Sequence, residues 1–258
     1  MATTNFREFI HGGAWRDPKI THLSFIPAIN HLVTSGRLPS ASIAGFASID
    51  YCLSPHPDHP QDPAETPASE LRVARHPDHI RDVQSALKLL KDEYGLTNDY
   101  ILIGHSAGAT LAFQLLMDPT ATEAASPEAP PLPAAIIGVS GIYDLVGIDD
   151  RHGGNYAGFI TSAFGSEKKA WDVASPGKYG GSFKKNWPCG KFAILAWSHE
   201  DTLIDESELD AMAAKLIKDR INVSVTKDLT GEHDLVWEHG SQLAKLVFLG
   251  LAQLQGSS

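Results

Sequence analysis

A serine between two glycines is the residue of this chain best suited to nucleophilic chemistry. Residues 104–108 read Gly-His-Ser-Ala-Gly; they follow the apolar, β-branched run 100–103 and precede small and apolar residues compatible with a helix. A strand, a sharp turn and a helix in this order expose a nucleophilic serine, and the flanking glycines leave room for the strained turn. The pattern predicts Ser106 as a nucleophile; the alternative is a tight turn whose serine caps the helix.

Two adjacent glycines near the N-terminus could stabilise the oxyanion that such a serine would create. They follow a short predicted strand, residues 6–10, within the segment His-Gly-Gly-Ala-Trp. Adjacent glycines free the backbone to aim consecutive N–H groups at one point, as an oxyanion hole requires. We predict the N–H groups of Gly12, Gly13 and Ala107 as the donors, with an ordinary glycine turn as the alternative.

An acid and a histidine follow the serine in the order that an α/β nucleophilic hydrolase uses. Asp201 comes after the predicted strand 192–197, and His233 lies in the last strand-to-helix loop. His233 would take the Ser106 proton and return it to the leaving group, while Asp201 would hold the imidazole tautomer and stabilise the imidazolium. Side chains of the same types nearby are the alternatives: Glu200 and Asp205 for the acid, His199 and His239 for the base.

The elements that must position these residues alternate between apolar strands and amphipathic helices. The predicted strands are 6–10, 42–51, 100–103, 134–140, 192–197 and 223–227, and the predicted helices are 24–35, 78–94, 106–117, 206–218 and 235–254. This alternation predicts an α/β fold with a mostly parallel sheet and helices on both faces. Because ligands of such sheets bind at the carboxyl ends of the strands, the candidate segments should meet at that edge.

Two long stretches interrupt the alternation within the single domain, residues 1–258, that we predict. Residues 52–78 are rich in proline, histidine and aspartate, which is typical of a functional loop or lid. Residues 145–190 are rich in glycine, lysine and aromatic residues without a clean period, and we predict an irregular, cap-like insertion. The loop histidines have no partner at defined metal-ligand spacing, so we expect no metal at any of them: His56, His59, His76 and His79.

The amino-acid composition argues against several classes of function. A chain of 258 residues with 43% hydrophobic content can bury a large core, and a net charge of −10 argues against nucleic acid as a partner. Two cysteines are too few for a disulfide scaffold. We find neither an apolar run of membrane-spanning length nor a signal-peptide pattern. We therefore expect a cytoplasmic protein with a small-molecule substrate and no membrane partner; the sequence does not decide between a monomer and a homodimer.

Taken together, these motifs resemble the α/β-hydrolase superfamily and, within it, the fungal kynurenine formamidases. The His-Gly-Gly-x-Trp form at residues 11–15 points to the formamidases, and the likeness includes Asp-Tyr at 50–51, Leu-Ser-Pro at 53–55 and Gly-Ile-Tyr-Asp-Leu at 141–145. The resemblance implies hydrolysis of N-formyl-L-kynurenine to formate and L-kynurenine, in tryptophan catabolism, without metal or cofactor. It also implies triad roles for Ser106, Asp201 and His233, and an oxyanion role for residues 11–15.

A formyl group needs almost no acyl pocket, and aromatic side chains that follow strands could flank the ring of the leaving group. Trp15, Tyr143 and Trp197 are the candidates, with core packing as the alternative. The same triad would also suit a carboxylesterase for small acyl esters. A non-catalytic binding protein of this fold is the third hypothesis.

The chain departs from the family at two places. Only ten residues precede His11, and Arg7 and Glu8 make the first strand more polar than a central strand should be. From this we expect a shortened or mis-started chain that lacks the first strands and leaves a sheet edge uncovered. Cys52 stands where the family commonly has a basic residue, which we expect to weaken local anchoring of the loop 52–78.

Overall fold

Six parallel strands form one sheet in the computed structural model, which describes residues 6–36, 43–118 and 129–256. The strands are β1 (Phe6–Ile10), β2 (Gly45–Ile49), β3 (Tyr100–His105), β4 (Ala135–Val139), β5 (Phe192–Ser198) and β6 (Val223–Leu229). Their order in the sheet is β2-β1-β3-β4-β5-β6, and every neighbouring pair is parallel. The predicted parallel sheet is confirmed.

Helices cover both faces of the sheet. They are α1 (Ile26–Thr34), α2 (Asp78–Tyr94), α3 (Ala107–Gln114), α4 (Leu145–Arg151), α5 (Ala157–Phe164), α6 (Lys168–Ala174), α7 (Phe183–Asn186), α8 (Glu206–Lys218), α9 (Leu235–His239) and α10 (Ser241–Gly256). Neighbouring residues of one strand lie in different cores: Ile101 packs in the cluster with α1 and α10, and Leu102 in the cluster with α2, α3 and α8. In the described part of the chain, no helix has the length and apolar content to cross a membrane.

The strongest amphipathic patterns gave the correct helix bounds. The predicted helices 78–94 and 206–218 coincide with α2 and α8. Gly95 ends α2 in a left-handed conformation, with φ of 69°, and the Asp205 side chain caps α8 by accepting a hydrogen bond from Ser207 N. The predicted strand 42–51 corresponds to the shorter β2; residue 42 lies outside the described residues.

The predicted closing helix 235–254 is wrong in one respect, because it is two helices. Gly240, with φ of 71°, separates α9 from α10. A Cβ at this position would lie 2.3 Å from the backbone nitrogen of Ala28, so close packing of the α1 backbone requires the glycine. The predicted helix 24–35 is likewise divided into a 3-10 turn, His22–Phe25, and α1.

The stretch 145–190 is not irregular throughout. It contains the short helices α4 to α7, and each contributes a buried side chain to the core: Ile148, Ile160, Trp171 and Phe183. Four to eight residues are too few to show a helical period clearly against the glycines and lysines between them. The loop 52–78 is anchored despite Cys52, because Cys52 N donates to the Asp82 carboxylate at 2.7 Å and Ser54 N to the Trp15 carbonyl at 2.8 Å.

Strand β1 brings two charged side chains into the middle of the sheet. Arg7 and Glu8 are fully buried, and the strand lies between β2 and β3, so its polarity does not keep it from a central position. Both Glu8 carboxylate oxygens and two Arg7 nitrogens have no hydrogen-bond partner among the described residues. Burial raises the pKa of Glu8 to about 7 and lowers that of Arg7 to about 10.

Replacing Glu8 with glutamine is expected to stabilise the protein in alkaline solution and to change little in acid. Because the folded pKa of about 7 lies above the ordinary 4.5, ionisation of the buried carboxyl costs stability progressively as the pH rises between these values. Above them the cost is about 3 kcal/mol. Urea unfolding of wild type and Glu8→Gln at about pH 4 and about pH 8 measures the difference in the free energy of unfolding. The exposed Glu93 on α2, replaced with glutamine, is the control. An equal gain at both pH values would contradict this account.

Candidate active site

Ser106 occupies a strained turn between β3 and α3. Its backbone has φ of 52° and ψ of −122°, a region that non-glycine residues adopt only when the surrounding structure enforces it. Ser106 N donates to the Val139 carbonyl at 2.9 Å, and the Ser106 carbonyl accepts from Ala109 N at 2.9 Å. Bonds to β4 and α3 therefore fix the serine in this conformation.

The two glycines of the motif are sterically required. A Cβ on Gly104 would lie 2.4 Å from the Gly108 carbonyl oxygen, and a Cβ on Gly108 would lie 2.1 Å from the Ile10 carbonyl oxygen. Both distances are far below van der Waals contact. The steric reason predicted for the spacing is confirmed, and the second contact shows that α3 packs directly against the end of β1.

His233 and Asp201 are paired, as predicted. His233 Nδ1 lies 2.8 Å from Asp201 Oδ2, and both side chains are buried. The other carboxylate oxygen accepts from Leu203 N and Ile204 N, each at 2.9 Å. Burial opposes the negative charge, but the hydrogen bond and charge of His233, with these backbone contacts, lower the pKa of Asp201 below its ordinary value. An ionised Asp201 fixes the hydrogen of His233 on Nδ1 and leaves Nε2 as the proton acceptor.

The rival acids and histidines have other partners. Asp205 caps α8 and pairs with Arg151 Nε at 2.9 Å, while the Glu200 carboxylate accepts from Gly231 N. His199 is exposed beside the Trp197 ring, and His239 lies in α9. Among these side chains, the one hydrogen-bonded to His233 is Asp201.

Ser106 and His233 line one cavity of about 230 Å³ at the carboxyl ends of the strands. Gly13 and Ala14 line it too, within a turn whose three consecutive residues all have positive φ: 87° at Gly13, 48° at Ala14 and 61° at Trp15. Ala14 belongs to the segment 11–15 that the resemblance associates with the oxyanion, although it was not among the individual donors predicted. The cavity joins the nucleophile, the base and the glycine turn.

The predicted oxyanion donors gather around the elbow. A Cβ on Gly12 would lie 3.0 Å from Ser106 Cβ, so this residue packs against the elbow, and Gly13 faces the cavity. Ala107 is the first residue of α3, where backbone N–H groups have no partner within the helix. Over the described residues, the N–H groups of Gly13 and Ala107 have no hydrogen-bond acceptor in the chain. Both remain available to an oxyanion.

A network that the sequence analysis missed holds the glycine turn, with His11 and Tyr51 buried and Asp50 and His22 about half exposed. The Tyr51 hydroxyl donates to the Gly12 carbonyl at 2.7 Å and approaches that of His11 at 3.2 Å. The His11 ring stacks on Tyr51 and reaches Asp50 at 3.3 Å, and His22 binds the same carboxylate. Burial opposes ionisation of Asp50, but the bonds from His11 and His22 hold its pKa well below the ordinary value. The Asp-Tyr pair at 50–51 was visible as a motif, yet its partners were not.

Replacing Tyr51 with phenylalanine is expected to lower kcat by about fivefold and to leave KM nearly unchanged, since one hydrogen bond contributes about 1 kcal/mol and the turn would still be present. The change removes the hydroxyl that orients the Gly12 peptide without touching the cavity wall. Steady-state kinetics of the two proteins measure it, with Tyr94→Phe at the exposed end of α2 as control. A rise in KM with an unchanged kcat would show that Tyr51 acts on binding instead.

Hydrogen bonds within the protein engage one nitrogen of each of the two histidines that lie closest to a possible metal position. Over the described residues, the group of three potential ligands with atoms within 4.8 Å of one another is His105, His233 and Asp234. However, His233 Nδ1 is bonded to Asp201, and His105 Nε2 donates to the His233 carbonyl at 3.1 Å. Burial lowers the pKa of His105 to about 3, so that its ring is neutral. The expectation of a metal-free site stays a prediction.

The aromatic residues predicted to flank a substrate ring lie in the core. Trp15 packs against Phe164, with ring centroids 4.9 Å apart, and Tyr143 against Phe113 at 5.6 Å. Trp197 is buried and donates from its indole to the Ile204 carbonyl at 2.7 Å. None of these three lines the cavity beside Ser106. Core packing, the alternative stated from the sequence, describes their positions in this structure.

The parallel sheet, the serine elbow after β3 and the loops that bring His233 to Asp201 define an α/β hydrolase. Solved structures share this fold: esterase B from Lactobacillus rhamnosis aligns with a TM-score of 0.68 at 15% identity, covering 100% of this chain and 78% of that chain. An acetyl ester-xyloside bifunctional hydrolase from Caldicellulosiruptor lactoaceticus aligns with a TM-score of 0.63 at 14% identity, covering 98% and 85%. No protein-family model matches the chain.

Comparison with curated relatives identifies the family within the α/β hydrolases. The chain is 40% identical to the kynurenine formamidase-like hydrolase fscH of Fusarium equiseti, over 97% of this chain and 84% of that protein. It is 36% identical to the kynurenine formamidase avaC of Aspergillus versicolor, over 89% and 82%, and 31% identical to the kynurenine formamidase of Meyerozyma guilliermondii, over 93% and 81%. The chain belongs to the kynurenine formamidase family, which confirms the resemblance drawn from the motifs.

Proposed function

We propose that this chain hydrolyses the formamide of N-formyl-L-kynurenine to formate and L-kynurenine, with Ser106 as the nucleophile. The observation that carries the proposal is the buried His233–Asp201 pair, whose imidazole lines the same cavity as the serine on its strained elbow. Membership of the family supplies the substrate class. The residues supply a mechanism for it.

In the first half of the proposed reaction, Ser106 Oγ attacks the formyl carbon and its proton moves to His233 Nε2. The carbonyl electron pair moves onto oxygen, where the N–H groups of Gly13 and Ala107 stabilise the charge. The carbon–nitrogen bond then breaks as the imidazolium gives its proton to the aryl nitrogen. L-Kynurenine leaves as a neutral arylamine, and Ser106 carries a formyl ester.

In the second half, water attacks the formyl ester while His233 Nε2 takes its proton. The bond between the carbon and Ser106 Oγ breaks, the proton returns to Ser106, and formic acid leaves and ionises to formate. Asp201 stays ionised throughout, because the lowered pKa keeps its proton off. The cavity of about 230 Å³ beside Ser106 has room for the formyl group.

The second candidate function is hydrolysis of short acyl esters, because the same triad and the same donors would open an ester. Initial rates on N-formyl-L-kynurenine and on 4-nitrophenyl acetate decide between the two. We expect the formamide to be the better substrate in kcat/KM. A preference for the ester by several orders of magnitude would remove the formamidase proposal, and inertness toward both would favour a binding protein.

A further inference from the structure

A second cavity of about 610 Å³ adjoins the one that holds Ser106. The two share Arg16 and His56 in their walls. Much of the larger wall comes from prolines of the loop 52–78, namely Pro55, Pro57, Pro60 and Pro63. Sites for small molecules have volumes of about 300–1,000 Å³, so the smaller cavity suits the reacting bond and the larger one has room for the rest of a substrate.

The larger cavity is cationic in an acidic protein. Arg16 and Arg72 line it, and no aspartate or glutamate of the described residues does, although the chain carries a net charge of −10. Arg72 is engaged with the loop itself, because its NH2 group donates to the His59 carbonyl at 2.7 Å. Arg72 Nε has no partner among the described residues, so Arg72 also keeps a donor. Of these two cations, Arg16 is the one that also lines the cavity that holds Ser106.

Arg16 is held in place at its backbone and has no ion-pair partner at its head. Arg16 N donates to the Gly13 carbonyl at 2.9 Å, which ties the residue to the glycine turn, and the guanidinium lies over the Phe159 ring at 5.8 Å. Among the described residues no carboxylate comes within 4.0 Å of it. Burial lowers the pKa of Arg16, whereas the charges of Asp58 and Asp17 act to raise it.

His56 adds a neutral donor beside Arg16. Its Nδ1 accepts a hydrogen bond from Asp58 N at 3.1 Å, so the ring hydrogen of the neutral tautomer is on Nε2. A guanidinium with an imidazole N–H next to it is a common recognition pair for a carboxylate, since Arg presents a planar fork of donors. Both groups lie at the boundary between the two cavities.

We propose that Arg16 determines specificity by binding a carboxylate on the leaving-group arm of the substrate, with the arm in the larger cavity and the scissile bond at Ser106. The inference rests on the proposed function and goes further, because it names the part of the substrate that this subsite selects. It predicts a preference for aryl formamides whose side arm bears a carboxylate over those of the same ring that lack one.

The test compares N-formyl-L-kynurenine with 2-formamidoacetophenone, which keeps the ring, the formamide and the ortho carbonyl but lacks the amino acid. In Arg16→Gln, kcat/KM for the first substrate is expected to fall by about 100-fold, mainly through KM, because a charged hydrogen-bond partner is removed. For the neutral substrate the change should be at most about threefold. Arg16→Lys should restore part of the preference. Arg75→Gln, on the loop 52–78 but outside the walls of both cavities, should behave as wild type.

An equal loss on both substrates would overturn the inference, since it would show that Arg16 only supports the glycine turn. Unchanged kinetics on both would overturn it as well. If wild type cleaves neither formamide but cleaves aryl acetates, the proposed function fails separately. The same variants are then compared on 3-(2-acetoxyphenyl)propanoate, which bears a carboxylate, and 2-ethylphenyl acetate, which does not. Arg16→Gln is expected to lower kcat/KM for the first ester much more than for the second. An equal change on both esters would overturn the inference.

Discussion

Ser106→Ala is expected to lower kcat/KM for N-formyl-L-kynurenine by at least about 10⁴-fold, because removal of a triad nucleophile leaves only binding and the oxyanion donors. The strained turn is held by the backbone bonds of Ser106 to Val139 and Ala109 and by the glycines at 104 and 108, none of which the substitution changes. Folding should therefore persist, as circular dichroism and a thermal melt would verify.

The matched control for this change is Ser207→Ala, an exposed serine at the start of α8. It should keep the wild-type rate. Activity of Ser106→Ala within about tenfold of wild type would show that another group attacks the formyl carbon or activates water for the attack.

Asp201→Asn is expected to cost about 10³- to 10⁴-fold in kcat/KM, by analogy with triads in which an amide replaces the acid. The carboxylate receives the hydrogen of His233 Nδ1, and an asparagine that presents its amide nitrogen there would favour the tautomer with the hydrogen on Nε2. That tautomer cannot accept the Ser106 proton. Steady-state kinetics over a range of pH measure the loss.

Asp205→Asn separates the predicted acid from its nearest rival. Asparagine can still cap α8, but it removes the ion pair with Arg151, so the substitution should lower the melting temperature slightly and change kcat/KM by less than about fivefold. The reverse outcome, with Asp205→Asn inactive and Asp201→Asn active, would mean that the observed His233–Asp201 bond does not serve the reaction.

The elbow and the acid–histidine pairing could be predicted because each rests on a local pattern. A Cβ added at Gly104 or Gly108 would lie within 2.5 Å of a backbone oxygen, so glycine is required at both positions and the spacing itself carries the information. Asp201 and His233 follow strands that end at one edge of a parallel sheet, which brings residues distant in sequence together. The bounds of helices α2 and α8 could be predicted for a similar reason, since each helix has a clear apolar period and a definite end.

Other features depend on tertiary contacts that no local pattern shows. The break at Gly240 reflects the approach of Ala28 from a helix more than two hundred residues earlier. The polarity of β1 argued against a central strand, yet β1 lies between β2 and β3. Glu8 is buried there with no hydrogen-bond partner among the described residues. Trp15 and Tyr143 follow strands as predicted, but whether such a ring faces substrate or core is decided by the helices that pack over it.

The cavity that holds the proposed arm of the substrate was the least accessible part of the site to sequence reasoning. The loop 52–78 was expected to be functional from its length and prolines, but nothing in its sequence paired it with Arg16. That pairing arises because Ser54 N bonds to the Trp15 carbonyl and brings the loop alongside the glycine turn.

Labelling with a fluorophosphonate tests the central claim most directly, because the reagent forms a stable adduct only with a serine that a neighbouring base activates. Peptide mapping by mass spectrometry is expected to find a single adduct, on the peptide that contains Ser106, with loss of formamidase activity in proportion to labelling. Full formamidase activity after exhaustive treatment, or equal labelling of wild type and Ser106→Ala, would contradict the account.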